Sequence, residues 1–185
     1  MRIINFIKDN SYIIVKCMLN QLGLTIFGFM LSMAVGQNEN LQLITSIFSV
    51  GFYLFLQYSM MWTIGFKDKE KVDNKRIPYQ PFKGAYISIL ANSINLLLGF
   101  LMIIGQFLHI DDLYVMTNFI TKLLQAMYLG ISVNVAVEFH SLLFFLAPLP
   151  AILICGLAYY MGVQDKRILK IFGIDTTQSK KNNNL

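Results

Sequence analysis

The stretch LITSIFSVGFYLFLQYSMMWTIG, residues 43–65, runs directly into FKDKEKVDNKRIPYQPFK, residues 66–83. The first piece carries no charged side chain and exceeds the roughly 20 apolar residues a helix needs to cross a bilayer. The second holds Lys67, Lys69, Lys71, Lys75, Arg76 and Lys83. The same juxtaposition recurs on either side. Arg2, Lys8 and Lys16 form one further basic cluster, and Lys166, Arg167, Lys170, Lys180 and Lys181 form another. Lys122 is the one Lys or Arg outside the clusters, and the connectors Gly36 to Asn40 and His109 to Asp112 contain neither residue type. Basic loops retained in the cytoplasm between apolar spans produce this pattern.

Composition agrees. The chain has 185 residues, 56% hydrophobic and 14% charged, with mean hydropathy +0.57. A soluble domain carries about 25% charged residues, so much of the apolar surface is expected to face lipid. The net charge of +5 is concentrated beside apolar spans, which points to anionic headgroups and threading rather than to nucleic acid.

Four spans are expected: Cys17 to Val35, Leu43 to Gly65, Gly84 to Leu108, and Ser141 to Gly162. Leu113 to Val137 is mostly apolar but places Thr117, Asn118, Thr121, Lys122 and Gln125 on one helical face. It reads as an amphipathic surface helix or a fifth crossing. Charge bias favours the former, because four crossings keep all three basic clusters in the cytoplasm; a re-entrant passage would do the same. The expected fold is therefore all-α: a polytopic membrane helix bundle with four transmembrane helices plus one amphipathic or fifth transmembrane helix. Residues 1–175 form a single transmembrane domain and 176–185 a disordered cytoplasmic tail. The location is the cell membrane, multi-pass, with both termini cytoplasmic and the first span retained rather than cleaved. A short amphipathic segment is expected over Lys166 to Phe172.

Three spans carry polar or small residues at helical spacing: Gln21, Thr25, Gly28 and Ser32; then Gln42, Ser46, Ser49, Tyr53 and Gln57; then Ser88, Asn92, Asn95 and Gly99. Such faces serve close helix packing, with amides bonding across the interface at roughly 0.6–2 kcal/mol each. The same faces could line a polar path, with Gln21, Gln57, Asn92 and Asn95 as its wall. Pro148 and Pro150 fall inside the last span, where each removes a backbone donor, so a helix break is expected between Leu146 and Ala151. Lys122, Glu138 and His140 are the ionisable candidates, functional by default if they lie within the membrane.

Cys17 and Cys155 show no CxxC or Cys/His spacing, and His109, Asp111 and Asp112 crowd one short loop. Neither pattern specifies a metal. No Ser/His/Asp set, Walker motif or HExxH is present, so neither a cofactor nor catalysis is expected. Asn20-Gln21-Leu22-Gly23, Met60-Met61-Trp62 and Pro148-Leu149-Pro150 give the chain a form that resembles small integral membrane proteins of Gram-positive bacteria of uncharacterised function. That resemblance implies a multi-pass helical fold and carries over no activity. The favoured expectation is a non-catalytic small subunit that packs against itself or within a transport-type membrane complex, with the lipid bilayer as its surroundings. A small carrier or substrate-binding component using the broken last span is the alternative, and a membrane-embedded enzyme the third.

Overall fold

A computed structural model describes residues 2–166. Every regular element among them is a helix. α1 spans Arg2–Val35, α2 Glu39–Asp73, α3 Lys83–Ala91, α4 Ser93–Phe107 and α5 Asp111–Leu124. A 3-10 turn at Ala126–Tyr128 leads to α6, Leu129–Val133; a second at Val137–Phe139 leads to α7, His140–Leu146, and then α8, Leu149–Val163. Arg167, Lys170 and the rest of the expected amphipathic segment and tail lie outside the described residues.

Among the described residues, three helical stretches are long and apolar enough to cross a membrane: Ile4–Val35, Glu39–Asp73 and His140–Val163. The expected third span is not one helix. It divides into α3 and α4, which pass the same length and hydropathy test only as a pair bent by 60°. The division falls at Asn92. Its Nδ2 donates to the Ser88 carbonyl oxygen at 3.0 Å, the same oxygen that accepts from the Asn92 backbone N–H at 2.9 Å. A side chain that competes for the preceding turn's carbonyl bends a helix.

The basic connector is also shorter than the sequence suggests. α2 continues through Lys67, Asp68, Lys69 and Lys71 to Asp73, and Lys83 already opens α3. The long helices end alike. Gly36, Lys75, His109 and Asp165 take φ of 63°, 54°, 54° and 57° after α1, α2, α4 and α8. At the last three, the following amide reaches back five residues, as in Arg76 N–H to Lys71 O at 2.8 Å, which closes the open carbonyls of the final turn.

α2 and α8 form the centre, and α3 packs against α8 as α1 packs against α2. Close approach is set by glycine. A Cβ on Gly162 would collide with the Trp62 carbonyl oxygen, and one on Gly65 with that of Tyr159. The distribution of side chains is inverted relative to a soluble protein. Ser49, Gln57, Asn92, Thr121 and Gln125 are buried, whereas Ile26, Met30, Phe55, Leu97, Phe119 and Leu153 are exposed. Without a hydrophobic drive between helices in lipid, small and polar residues move to the interior and large apolar ones to the perimeter.

Residues 113–137 follow the same inversion. α5 is 14 residues long, about 21 Å at 1.5 Å per residue, short of the ~30 Å hydrocarbon. Its polar face is the buried one, at Thr117 and Thr121, and its apolar face, Val115, Met116, Phe119 and Leu123, points outward. The chain then reverses. Asp111 and Tyr114 at the start of α5 line the same cleft as Glu138, and Gln106 Nε2 donates to the Glu138 carbonyl at 2.9 Å. Residues 111–138 thus leave and return to one end of the bundle, the end that carries the α1–α2 turn: α6 sits against α2 there, with Gly130 N–H donating to Ser46 Oγ at 2.8 Å.

Candidate functional site: a buried amide and phenol centre

The bend at Asn92 brings polar side chains from separate helices to one point. With Asn92 Nδ2 committed to Ser88, its Oδ1 is left without a partner. Gln57 on α2 behaves likewise. Its Nε2 donates to the Cys17 carbonyl of α1 at 3.3 Å, and its Oε1 has no partner. Tyr53, one turn earlier on α2, places its hydroxyl beside both amides, yet without a hydrogen bond of normal geometry. Tyr53 is 1% exposed and Gln57 and Asn92 are each 2% exposed. A buried polar atom without a partner costs about 1–3 kcal/mol, so three at one place call for an explanation.

A second group lies on α5. Asn118 Oδ1, Thr121 Oγ1 and both amide atoms of Gln125 are buried without partners. Gln125 stands where α5 gives way to the 3-10 turn, and Thr25 of α1 holds that point by donating from Oγ1 to the Leu124 carbonyl at 2.9 Å. A half-open groove of about 210 Å³ lies between α1, the α3–α4 bend and the end of α5, and none of these six residues lines it. Its wall includes Ala91 and Leu124, the residues before Asn92 and Gln125, together with Gln21 and Asn95.

Of the residues proposed from sequence, Gln57 and Asn92 meet beside Tyr53, and Gln21 and Asn95 line the groove that Ala91 and Leu124 share. Pro148 and Pro150 are elsewhere. The helix does break there, between α7 and α8, but the freed Ala147 carbonyl accepts from Tyr128 Oη at 2.9 Å. Ala147 and Ala151 are buried in an apolar cluster with Phe144 and Met102, so this break opens onto packed side chains. Lys122 is partly buried on α5, roughly two turns beyond Tyr114. Glu138 is exposed at the cleft with Gln106, His109 and Asp111. His140 Nε2 lies 2.9 Å from the carbonyls of Ser132 and Val135, fixing the turn after α6. The three ionisable candidates do not share a site. Among the described residues, no three His, Cys, Asp or Glu are grouped to hold a metal.

A further cluster escaped sequence reading. Asp68 is 4% exposed. Its Oδ2 accepts from Lys83 Nζ at 2.7 Å and from Tyr159 Oη at 3.1 Å, and Lys71 Nζ lies 3.6 Å from Oδ1. These contacts tie α2, α3 and α8 together at the end opposite the α1–α2 turn. The available signal was spacing: Tyr53, Gln57, Met61, Gly65 and Asp68 continue one buried stripe of α2, which the change from apolar to charged residues conceals.

Comparison with protein-family models, with curated proteins and with solved structures finds no match to this chain.

Proposed function

We propose that this protein is a non-catalytic, multi-pass component of the cell membrane that works as a small carrier or solute-binding component, with Tyr53, Gln57 and Asn92 as its site. The observation that carries this reading is the set of buried oxygens left without partners around the Asn92 bend. Helix packing alone calls for amides that satisfy each other across an interface. Here Asn92 bonds within its own helix, and Gln57, while donating across to α1, leaves its oxygen free. A broken helix beside a cavity is also the form in which membrane carriers build substrate sites.

In this reading α3 and α4 make one broken crossing, and residues 111–138 are re-entrant from the outer side. Irregular backbone within the membrane is then covered by protein. Both termini and the connector 74–82 lie in the cytoplasm, in keeping with the basic clusters.

The test is a solute screen on the purified chain in detergent, scored by thermal unfolding. A solute that raises the midpoint of the native protein and leaves Asn92→Leu unaffected supports a binding site. A screen spanning cations, amino acids, sugars and nucleobases that moves neither protein contradicts it.

A specific feature favours the second reading, a subunit of a larger transport-type assembly. An apolar groove of about 340 Å³ runs between α1 and α5, lined by Leu22, Ile26, Phe29, Met30, Met33 and Leu123. A partner helix or a second copy could occupy it. Native mass in mild detergent distinguishes the two: a stable complex supports the subunit reading, a monomer the carrier.

A further inference from the structure

We infer that the centre at Tyr53, Gln57 and Asn92 binds a monocation, an alkali ion or an alkylammonium group, through uncharged oxygens; this rests on the solute-binding reading above and names its ligand class.

The argument begins with which atoms are free. The unpartnered atoms at this centre are Tyr53 Oη, Gln57 Oε1 and Asn92 Oδ1. The amide orientations are not arbitrary, because each NH₂ is already used: Gln57 Nε2 on the Cys17 carbonyl and Asn92 Nδ2 on the Ser88 carbonyl. Reversing either amide would set oxygen against a carbonyl oxygen. Two donors remain among the three, the Tyr53 O–H and the second N–H of Gln57; that of Asn92 is directed at Ser88 Oγ, 3.5 Å away. Even with the hydroxyl turned onto one amide oxygen and that N–H onto the other, each amide oxygen keeps an unfilled lone pair and so does the hydroxyl oxygen. Acceptors exceed donors however the hydroxyl rotates. The complementary ligand is one that offers positive charge or N–H groups. A carboxylate or phosphate would face oxygens.

Charge then sets the valence. None of the three side chains is acidic. The acidic residue further along this α2 stripe, Asp68, is about three turns beyond Gln57 and is held by Lys83 and Tyr159. Divalent cations are bound by carboxylates in addition to neutral oxygens. Neutral carbonyl, amide and hydroxyl oxygens alone replace the hydration shell of a monovalent ion. The groove beside Ala91 carries Asn95 and Gln21 with an apolar wall of Met18, Leu22 and Ile94; a ligand that reached it from the centre would rest its alkyl substituent there.

The experiment uses the full chain in detergent, with unfolding followed by a thiol-reactive dye; Cys17 and Cys155 are both buried and free, so they report exposure. Sodium, potassium and methylammonium chlorides are compared with N-methylglucamine chloride at equal ionic strength. At least one should raise the midpoint saturably, by about 5 °C when well above its dissociation constant. Sodium or potassium alone acting identifies an alkali ion; methylammonium alone acting identifies an alkylammonium ligand. Asn92→Asp, which keeps the shape and adds a charge, should bind the effective cation roughly tenfold more tightly. Tyr53→Phe, which removes one oxygen and should fold, should weaken the response. Equal midpoints in all four salts, for the native chain and for Asn92→Asp, overturn the inference. If neutral solutes stabilise while cations do not, the cation assignment fails and solute binding stands. If neither acts, both fail.

Discussion

Tyr128 Oη donates to the Ala147 carbonyl at 2.9 Å, and this bond closes the gap that Pro148 and Pro150 open between α7 and α8. The hydroxyl comes from the 3-10 turn Ala126–Tyr128, so one bond ties residues 111–138 to the junction of α7 and α8. Tyr128→Phe should cost about 1–3 kcal/mol, the penalty of a buried carbonyl without a partner, and lower the midpoint of thermal unfolding by several degrees. An unchanged midpoint would show that the carbonyl finds another donor.

The buried ion pair at the other end makes a distinct prediction. Lys83 Nζ is 2.7 Å from Asp68 Oδ2, with side-chain exposures of 15% and 6%. Removing one partner leaves a buried charge, at about 3–5 kcal/mol. Asp68→Asn and Lys83→Met should each be strongly destabilising, and the double substitution should recover most of the loss. A double variant as unstable as the sum of the singles would argue against the pairing.

Glycines should divide by position. Gly162→Ala drives a methyl into the Trp62 carbonyl, whereas a Cβ on Gly23 or Gly51 meets nothing within 4 Å. Overpacking at Gly162 should cost about 1–3 kcal/mol. Gly23→Ala and Gly51→Ala lie within α1 and α2 and should stabilise by about 0.5–1 kcal/mol through helix propensity. Thermal melts of the three variants in one detergent compare them directly.

Threading is checked by single cysteines placed at Asn38, Lys71, Asn134 and Gln178 in a chain lacking Cys17 and Cys155, labelled on intact cells with an impermeant reagent. Asn38 and Asn134 should react and Lys71 and Gln178 should not, because the re-entrant segment returns to the side of the α1–α2 turn. Labelling at Gln178 would mean an odd number of crossings. Protection of Asn134 with reaction at Asn38 would mean that residues 111–138 cross.

The sequence makes the helical class legible because membrane hydrocarbon leaves long apolar runs as a direct imprint. It also places Gln57 and Asn92 on inward faces, since spacing by three and four identifies a face without further information. What it hides depends on local competition and on contacts distant along the chain. Asn92 reads as an interior polar residue in either a straight or a bent helix; the outcome turns on whether its amide takes the Ser88 carbonyl. The amphipathy of residues 113–125 is plain, but its direction depends on the solvent, and lipid reverses it. Asp68 sits among lysines and reads as part of a solvated loop, because nothing nearby in sequence announces Tyr159 as its partner.

The central claim is that Tyr53, Gln57 and Asn92 are kept for a ligand and not for packing, and ligand-free stability of Tyr53→Phe tests it most directly. The substitution removes one oxygen that has no partner and leaves the ring in its buried place. In N-methylglucamine buffer without added solutes, the account predicts a midpoint equal to the native one or a few degrees higher, as a desolvation cost of about 1–3 kcal/mol is relieved. A midpoint lower by several degrees would mean that the hydroxyl holds the helices together, and would contradict the account.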